Sequence, residues 1–222
     1  MILQKNTANR LGIFVFYDKD GIADEYNFYF IEELKKQVSR LLVICNGDVE
    51  EEAGKRFSGI ADEVMMRGNE GFDITAYHLG LKKYGYNRDG KFDEVIICNS
   101  TMFGPVYPFQ EMFEKMAVRD LDFWGITNFH EVPFDPFGTV KYGMLPKHVQ
   151  SFFMVFRKSL TMSPEFQKYW ENMPQITSYE QAIGYHEAIF TKEFADKGFQ
   201  WAVYADSEEL EGYTYDLSLI HI

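Results

Sequence analysis

Four short stretches that are apolar on both faces constrain this chain more than anything else in it. Residues 10–16, 41–45, 94–98 and 151–157 are built mostly from Leu, Ile, Val, Phe, Met and Cys, with their polar residues at the ends rather than in the alternation of a half-exposed strand. Such runs read as strands covered on both sides, which is the pattern of a mostly parallel sheet packed between two layers of helices. Shorter runs at 64–67, 122–127 and 199–204 extend the set. Between them the period changes to that of a helix. Residues 24–38 carry Phe30, Ile31, Leu34 and Val38 on one stripe, and Ile74, Tyr77, Leu81 and Tyr84 form a second behind Asp73, a candidate N-cap. Phe109, Met112, Phe113 and Met116 form a third after Gly104 and Pro105. Ser163-Pro164 opens a further helix, with a cap followed by proline. Ser178 and Gln181 have capping-box spacing ahead of a helix that runs to about residue 197. Residues 128–148, with Pro133, Pro136, Gly138, Gly143 and Pro146, read as irregular. The predicted fold is α/β, a single Rossmann-like domain with helices on both faces of the sheet.

The chain has 222 residues, with no Pro/Gly/Ser-rich linker and no repeat, which fits one domain over residues 1–216. The last six, Leu-Ser-Leu-Ile-His-Ile at 217–222, match the translation of a transposon adapter used in sequencing libraries. The expectation is that they are not native and that the natural chain continues beyond 216. Asp and Glu number 34 against 22 Lys and Arg, a net charge of -12, which excludes general binding to a phosphate backbone. Cys45 and Cys98 make neither a disulfide framework nor a zinc spacing, as expected in a reducing compartment. Residues 1–10 lack the apolar core of a secretory signal, and no run reaches the length of a membrane span. A cytoplasmic location is the resulting expectation.

In sheets of this kind ligands bind beyond the carboxyl ends of the strands. The segments there are Tyr17-Asp18, Asn46, residues 67–73, residues 99–104 and residues 127–131. Arg67-Gly-Asn-Glu-Gly-Phe-Asp73 places a cation, two glycines, an amide and a helix start within seven residues. That combination suits a phosphate, through backbone N–H groups and a bidentate guanidinium; it also suits a plain turn in which Asn69 and Asp73 bond their own backbone. Asn99-Ser100-Thr101 offers small polar groups for a sugar or ribose hydroxyl, or for a polar turn. Trp124 beside Gly125 can stack on a sugar or fill the core. Glu180 and Glu187 lie seven apart on one helix face with Ile183, where an apolar setting raises a carboxyl pKa toward proton-transfer range. There is no G-x-G-x-x-G, P-loop, G-x-S-x-G or H-E-x-x-H pattern.

Taken in order, the motifs resemble the rhamnan synthesis protein F family of bacterial polysaccharide-assembly proteins. The segments that carry the resemblance are residues 13–18, 67–73, 93–105, 122–127, 148–157 and 185–191, with Gly198-Phe199 closing; together they span about residues 10–205. The resemblance implies a GT-A-type glycosyltransferase that moves rhamnose or a similar sugar from a nucleotide-diphospho-sugar to a lipid-linked or polysaccharide acceptor. The setting it implies is the inner face of the plasma membrane, alongside other polysaccharide-assembly proteins. Such enzymes use Mg²⁺ or Mn²⁺ on an acidic strand end. Here Ser100 comes after Asn99 where the family often has Asp, a departure that removes a carboxylate ligand.

By the same analogy Glu187, a dozen residues before Gly198-Phe199, falls where an inverting enzyme keeps its base. On this reading Tyr17, Asp18, Arg67, Asn69, Asp73, Asn99 and Ser100 hold the donor, with Lys19 a further cation for the diphosphate. Trp124, His148 and Gln150 shape the acceptor side. The rival of a different class is a non-catalytic sugar- or nucleotide-binding module, for which the missing acid at Ser100 speaks. A nucleotide-sugar-modifying enzyme of Rossmann type is disfavoured by the absent glycine fingerprint.

Overall fold

The computed structural model describes residues 2–3 and 8–206; the expectation about residues 217–222 lies outside them. The first half alternates strands and helices as the periodicity predicts. β1 is Arg10–Tyr17, α1 Glu25–Lys35, β2 Arg40–Asn46, α2 Glu51–Ile60, β3 Glu63–Arg67, α3 Phe72–Lys83, β4 Glu94–Asn99 and α4 Phe109–Ala117. The second half holds β5 Phe123–Gly125, β6 Asn128–Phe129, β7 His148–Val149, β8 Phe153–Arg157, α5 Lys158–Thr161, α6 Pro164–Glu171, α7 Tyr179–Ala182, α8 Ala188–Ala195 and β9 Trp201–Val203.

The seven-stranded sheet has the order β3-β2-β1-β4-β8-β5-β9. β1 pairs parallel with both β2 and β4, and β9 is parallel to β5. β8 lies antiparallel between β4 and β5, so it alone reverses the sheet direction. The two-residue period of a strand divides each run between two cores. Ile13, Val15, Val95 and Ile97 face α3, α6 and α8 through Tyr77, Trp170 and Phe190. Phe14, Phe16, Ile96 and Cys98 face α1, α2 and α4 through Phe30, Phe57 and Phe113. Both faces of the sheet are therefore dry, which is why the strands lack polar alternation.

Four details differ from the sequence reading. α2 shows no apolar stripe, because it buries only Ala53 and Phe57. Asp73 does not cap α3; Gly71, with φ 72°, takes that position, since a left-handed cap conformation favours glycine. The helix expected from 178 to about 197 is broken: Ser178 caps α7 by accepting from the Gln181 N–H, then a π turn spans Ile183–Glu187 before α8. Residues 128–148 are irregular as expected, apart from the antiparallel pair β6–β7 and a bridge from Val132 to Leu145.

The chain leaves β1 toward β2 and β3 on one side, and returns through α3 to β4 on the other. Strand order reverses between β1 and β4, where neighbouring connections diverge and a crevice opens beyond the strand ends.

Candidate functional site

That crevice is a cavity of about 460 Å³. Its floor is the carboxyl ends of β1 and β4, with Val15 and Tyr17 on one and Asn99 and Ser100 on the other. The α3 amino end and the π turn form opposing walls.

The α3 wall is set by an unusual turn. Gly71 and Phe72 are both left-handed, with φ 72° and 58°. A phenylalanine there is strained and needs support from outside. Asn46 Nδ2 donates to the Phe72 carbonyl at 3.2 Å and Arg67 Nη1 at 3.3 Å. The Arg67 Nη1 also donates to Asn46 Oδ1 at 2.7 Å, and Nη2 donates to the Glu70 carbonyl. The guanidinium expected to hold phosphate is thus engaged with the turn that presents Asp73. Burial lowers its pKa.

Asp73 receives an Asn99 Nδ2 hydrogen bond at 2.8 Å. Asn99 Oδ1 accepts from Thr101 N at 3.2 Å and from Thr101 Oγ1 at 2.7 Å, so the Asn99 amide is fully oriented. Burial raises the Asp73 pKa against the Asn99 and backbone donors that lower it. Glu187 is half-buried and lines the far wall. Its Oε1 accepts the Ser151 backbone N–H at 3.3 Å. Burial raises its pKa, the Ser151 donor opposes this, and the Asp73 charge raises it further. Between the two carboxyls Tyr77 is fully buried and donates to the Ser151 carbonyl at 3.3 Å. The arrangement is two carboxyls of raised proton affinity sharing one cavity, and such a group can take a proton from a hydroxyl.

Tyr17, Asn69, Asp73, Asn99, Ser100 and Glu187 come together around this cavity. Asp18 does not line it; the Asp18 carboxylate accepts from the N–H groups of Asp20 (2.9 Å) and Ile22 (3.1 Å), closing its own turn. Those donors hold its pKa below the usual range. Three acceptor-side expectations are corrected or displaced. Trp124 is 0% exposed and its indole N–H donates to Glu94 Oε1 at 3.1 Å, so no ring face is open to a sugar. His148 is buried with Nδ1 2.6 Å from the Pro146 carbonyl, and burial lowers its pKa. Gln150 is half-buried and accepts from Thr127 Oγ1 at 2.7 Å, next to Ser151 but outside the cavity lining.

Sequence reasoning missed Tyr77 and His186. Tyr77 reads as a core residue from its helical spacing, and only the fold brings its hydroxyl to Ser151. His186 lines the cavity; Nδ1 lies 2.6 Å from the Tyr169 hydroxyl, Nε2 is buried without a partner among the described residues, and burial lowers its pKa to about 3. It is therefore a neutral imidazole at neutral pH. Mg²⁺ is usually held by one or two carboxylates together with substrate phosphates. The Ser100 hydroxyl lies 3.4 Å from the Tyr17 N–H and 3.5 Å from its carbonyl. No group of three or more His, Cys, Asp or Glu among the described residues could hold a metal. Any Mg²⁺ or Mn²⁺ here would depend on substrate phosphates in addition to the carboxyls that line the cavity, Asp73 and Glu187. No helix among the described residues is long and apolar enough to cross a membrane.

Comparison with known proteins adds the lineage. The family profile described as Rhamnan synthesis protein F matches residues 41–221. An uncharacterized protein of Sinorhizobium fredii, y4gN, is 21% identical over 213 residues, covering 95% of this chain and 52% of its own length. The chain thus spans about half the length of that curated relative. Among solved structures, a 4-diphosphocytidyl-2C-methyl-D-erythritol synthase superposes with a TM-score of 0.52 at 11% identity, covering 96% of this chain and 99% of the other. A synthase of the same activity from Anaerococcus prevotii gives a TM-score of 0.48 at 16% identity, over 89% and 87%. At these identities the likeness is one of fold.

Proposed function

The chain belongs to the rhamnan synthesis protein F family, and from that premise we propose that it is an inverting glycosyltransferase acting on a nucleotide-diphospho-sugar. The observation that carries the proposal is the placement of Glu187. Its carboxyl shares one cavity with the β1 and β4 strand ends and is raised in pKa by burial and by Asp73. Donor atoms would rest on Tyr17, Asn69, Asn99 and Ser100. Asp73 would orient Asn99, and Arg67 would act through the turn it clamps. Glu187 would take the proton from the acceptor hydroxyl as that oxygen attacks the anomeric carbon and the nucleoside diphosphate departs. Gln150 would flank the acceptor side. The acceptor would be a growing cell-surface polysaccharide or its lipid-linked precursor, and the sugar rhamnose or a close relative. The reaction would run on the cytoplasmic side of the plasma membrane, with other assembly proteins as partners. No step is routed through a metal.

Thermal unfolding with dTDP, UDP and GDP tests donor binding. One nucleotide at about 100 times its dissociation constant should raise Tm on the order of 5–10 °C. In the same protein Glu187→Gln should keep that shift and lose turnover of the matching nucleotide-sugar by roughly 10²–10⁴-fold. A full Tm shift without turnover in the wild-type chain would favour the second reading, a binding module. That reading draws its support from Asn99-Ser100, a strand end without an acid. No shift with any nucleotide would sink the transferase reading and leave a glycan-binding module.

A further inference from the structure

The π turn at Ile183–Glu187 lies between α7 and α8, and Glu187 is its last residue. Ala182, Ile183, His186 and Glu187 line the cavity, whereas Gly184 and Tyr185 face an outer groove. A π turn carries an extra residue in one turn, so the helix downstream of it is rotated by about 100° from a continuous α-helix. The direction of the Glu187 carboxyl therefore depends on whether this turn is held.

The turn is held by the loop after β6. Asp135 ties the loop into a knot, accepting from the N–H groups of Phe137 and Val140, each at 2.8 Å. The knot presents Thr139, whose hydroxyl donates to the Glu180 carbonyl in α7 at 2.8 Å. Thr139 also sits directly on Gly184: a Cβ at residue 184 would stand 1.9 Å from Thr139 Oγ1 and 2.7 Å from its Cβ. Val140 and Leu145 of the same loop bury against Ala188 and Ile189 in the first turn of α8. The helix is thus gripped on both sides of the π turn by one loop, at the glycine that permits the approach.

We propose that Thr139, seated on Gly184, is a positioning residue that fixes the direction of Glu187 from outside the cavity. The inference rests on the glycosyltransferase reading for its functional meaning, but its test reads the carboxyl itself. The groups facing that carboxyl are Asp73 and Tyr77 from α3, the Ser151 backbone N–H and hydroxyl, and the neighbouring neutral His186. None is altered by a change at residue 139.

The experiment is carbon-13 NMR of the whole chain labelled at glutamate side-chain carboxyls, with Glu187→Gln assigning the resonance. Thr139→Ala removes the bond to α7 and opens space beside Gly184. It should lower the Glu187 titration midpoint by about 1 pH unit, as the carboxyl turns toward water. Thr139→Ser keeps the hydroxyl and should leave the midpoint at the wild-type value. Gly184→Ala, which drives the loop away, should move it in the same direction as Thr139→Ala. An unmoved midpoint in Thr139→Ala, or the same shift in Thr139→Ser, overturns the proposal. If Glu187→Gln retains turnover while Thr139→Ala still moves the carboxyl, the catalytic reading falls and the positioning role stands.

Discussion

Two glutamates at opposite ends of the sheet show how one fold uses the same side chain for different ends. Glu94, the first residue of β4, is 1% exposed and saturated. Arg10 Nε donates to it at 2.6 Å, Arg157 Nε at 3.3 Å and Trp124 Nε1 at 3.1 Å. Arg157 in turn donates to the carbonyls of Met116 and Arg119, each at 2.6 Å, and of Leu121 at 3.3 Å. The Arg10 guanidinium lies 4.5 Å from the centre of the Phe113 ring. Glu187, beyond the other end of β4, receives the Ser151 backbone N–H at 3.3 Å and the Ser151 hydroxyl, and faces a second carboxyl rather than a cation. The first is surrounded by donors from three side chains; the second is raised in pKa by burial and by a neighbouring carboxyl. Burial alone therefore does not mark a reactive carboxyl. The balance of donors and charges around it does.

The largest effect should come from breaking the saturated end. Glu94→Gln removes the carboxylate shared by two arginines whose side chains are 0% and 7% exposed. Removing one partner of a buried ion pair typically costs about 3–5 kcal/mol. In a domain of this size that is a Tm loss of roughly 6–20 °C by calorimetry. Nucleotide binding measured well below the new Tm should be unchanged. A Tm within 2 °C of wild type, at roughly 2–4 °C per kcal/mol, would show that the carbonyls around Arg157 suffice and that the two glutamates differ less than their contacts suggest.

The contrast between these ends was only partly legible in the sequence. The strands and the two-sided cover were readable because runs such as 95–98 admit no polar face. The direction of β8 was not, since a strand apolar on both faces carries no mark of its orientation. α2 escaped because Gly54 and Gly59 interrupt a segment with only two inward side chains. In the site, six expected residues meet at the cavity because each lies just past a strand or on a helix face that the fold points inward. Trp124 could not be read correctly: its partner Glu94 is 30 residues away, and nothing local distinguishes a cleft indole from a core one. Arg67 was read as a phosphate donor from its glycine-rich turn; the left-handed Phe72 that occupies it is a property of the folded loop. The π turn has no local signal, since Gly184 explains it only once Thr139 is seen against it.

A middle-sized effect should come from the clamp behind the reactive end. Arg67→Ala removes donors to Asn46 Oδ1 and to the Phe72 and Glu70 carbonyls. Asn46 Nδ2 still holds Phe72, so the turn should loosen without unfolding. Lost hydrogen bonds of this kind cost about 1–3 kcal/mol. If Arg67 acts through the turn, binding of UDP or dTDP should weaken with no change in its dependence on salt. A marked loss of that salt dependence would mean instead that the guanidinium meets the phosphates directly.

The smallest effect on stability, and the one most diagnostic of the comparison, is a sign. A carboxyl whose folded pKa is raised binds more protons in the native state than in the unfolded chain. Between the ordinary glutamate pKa and the folded value, stability from that group falls as pH rises. Burial and Asp73 place Glu187 in this class. Glu187→Gln should therefore be neutral or stabilising at pH 7, and should flatten the decline in stability as pH climbs from below the ordinary carboxylate range. Glu94→Gln should destabilise throughout the same range, because two buried guanidinium groups lose their shared carboxylate. Urea unfolding of the two variants at pH 4, 5.5 and 7 separates these outcomes. If Glu187→Gln is instead destabilising at pH 7, its carboxylate is supported by donors that make it structural, and the distinction between the two ends of the sheet collapses.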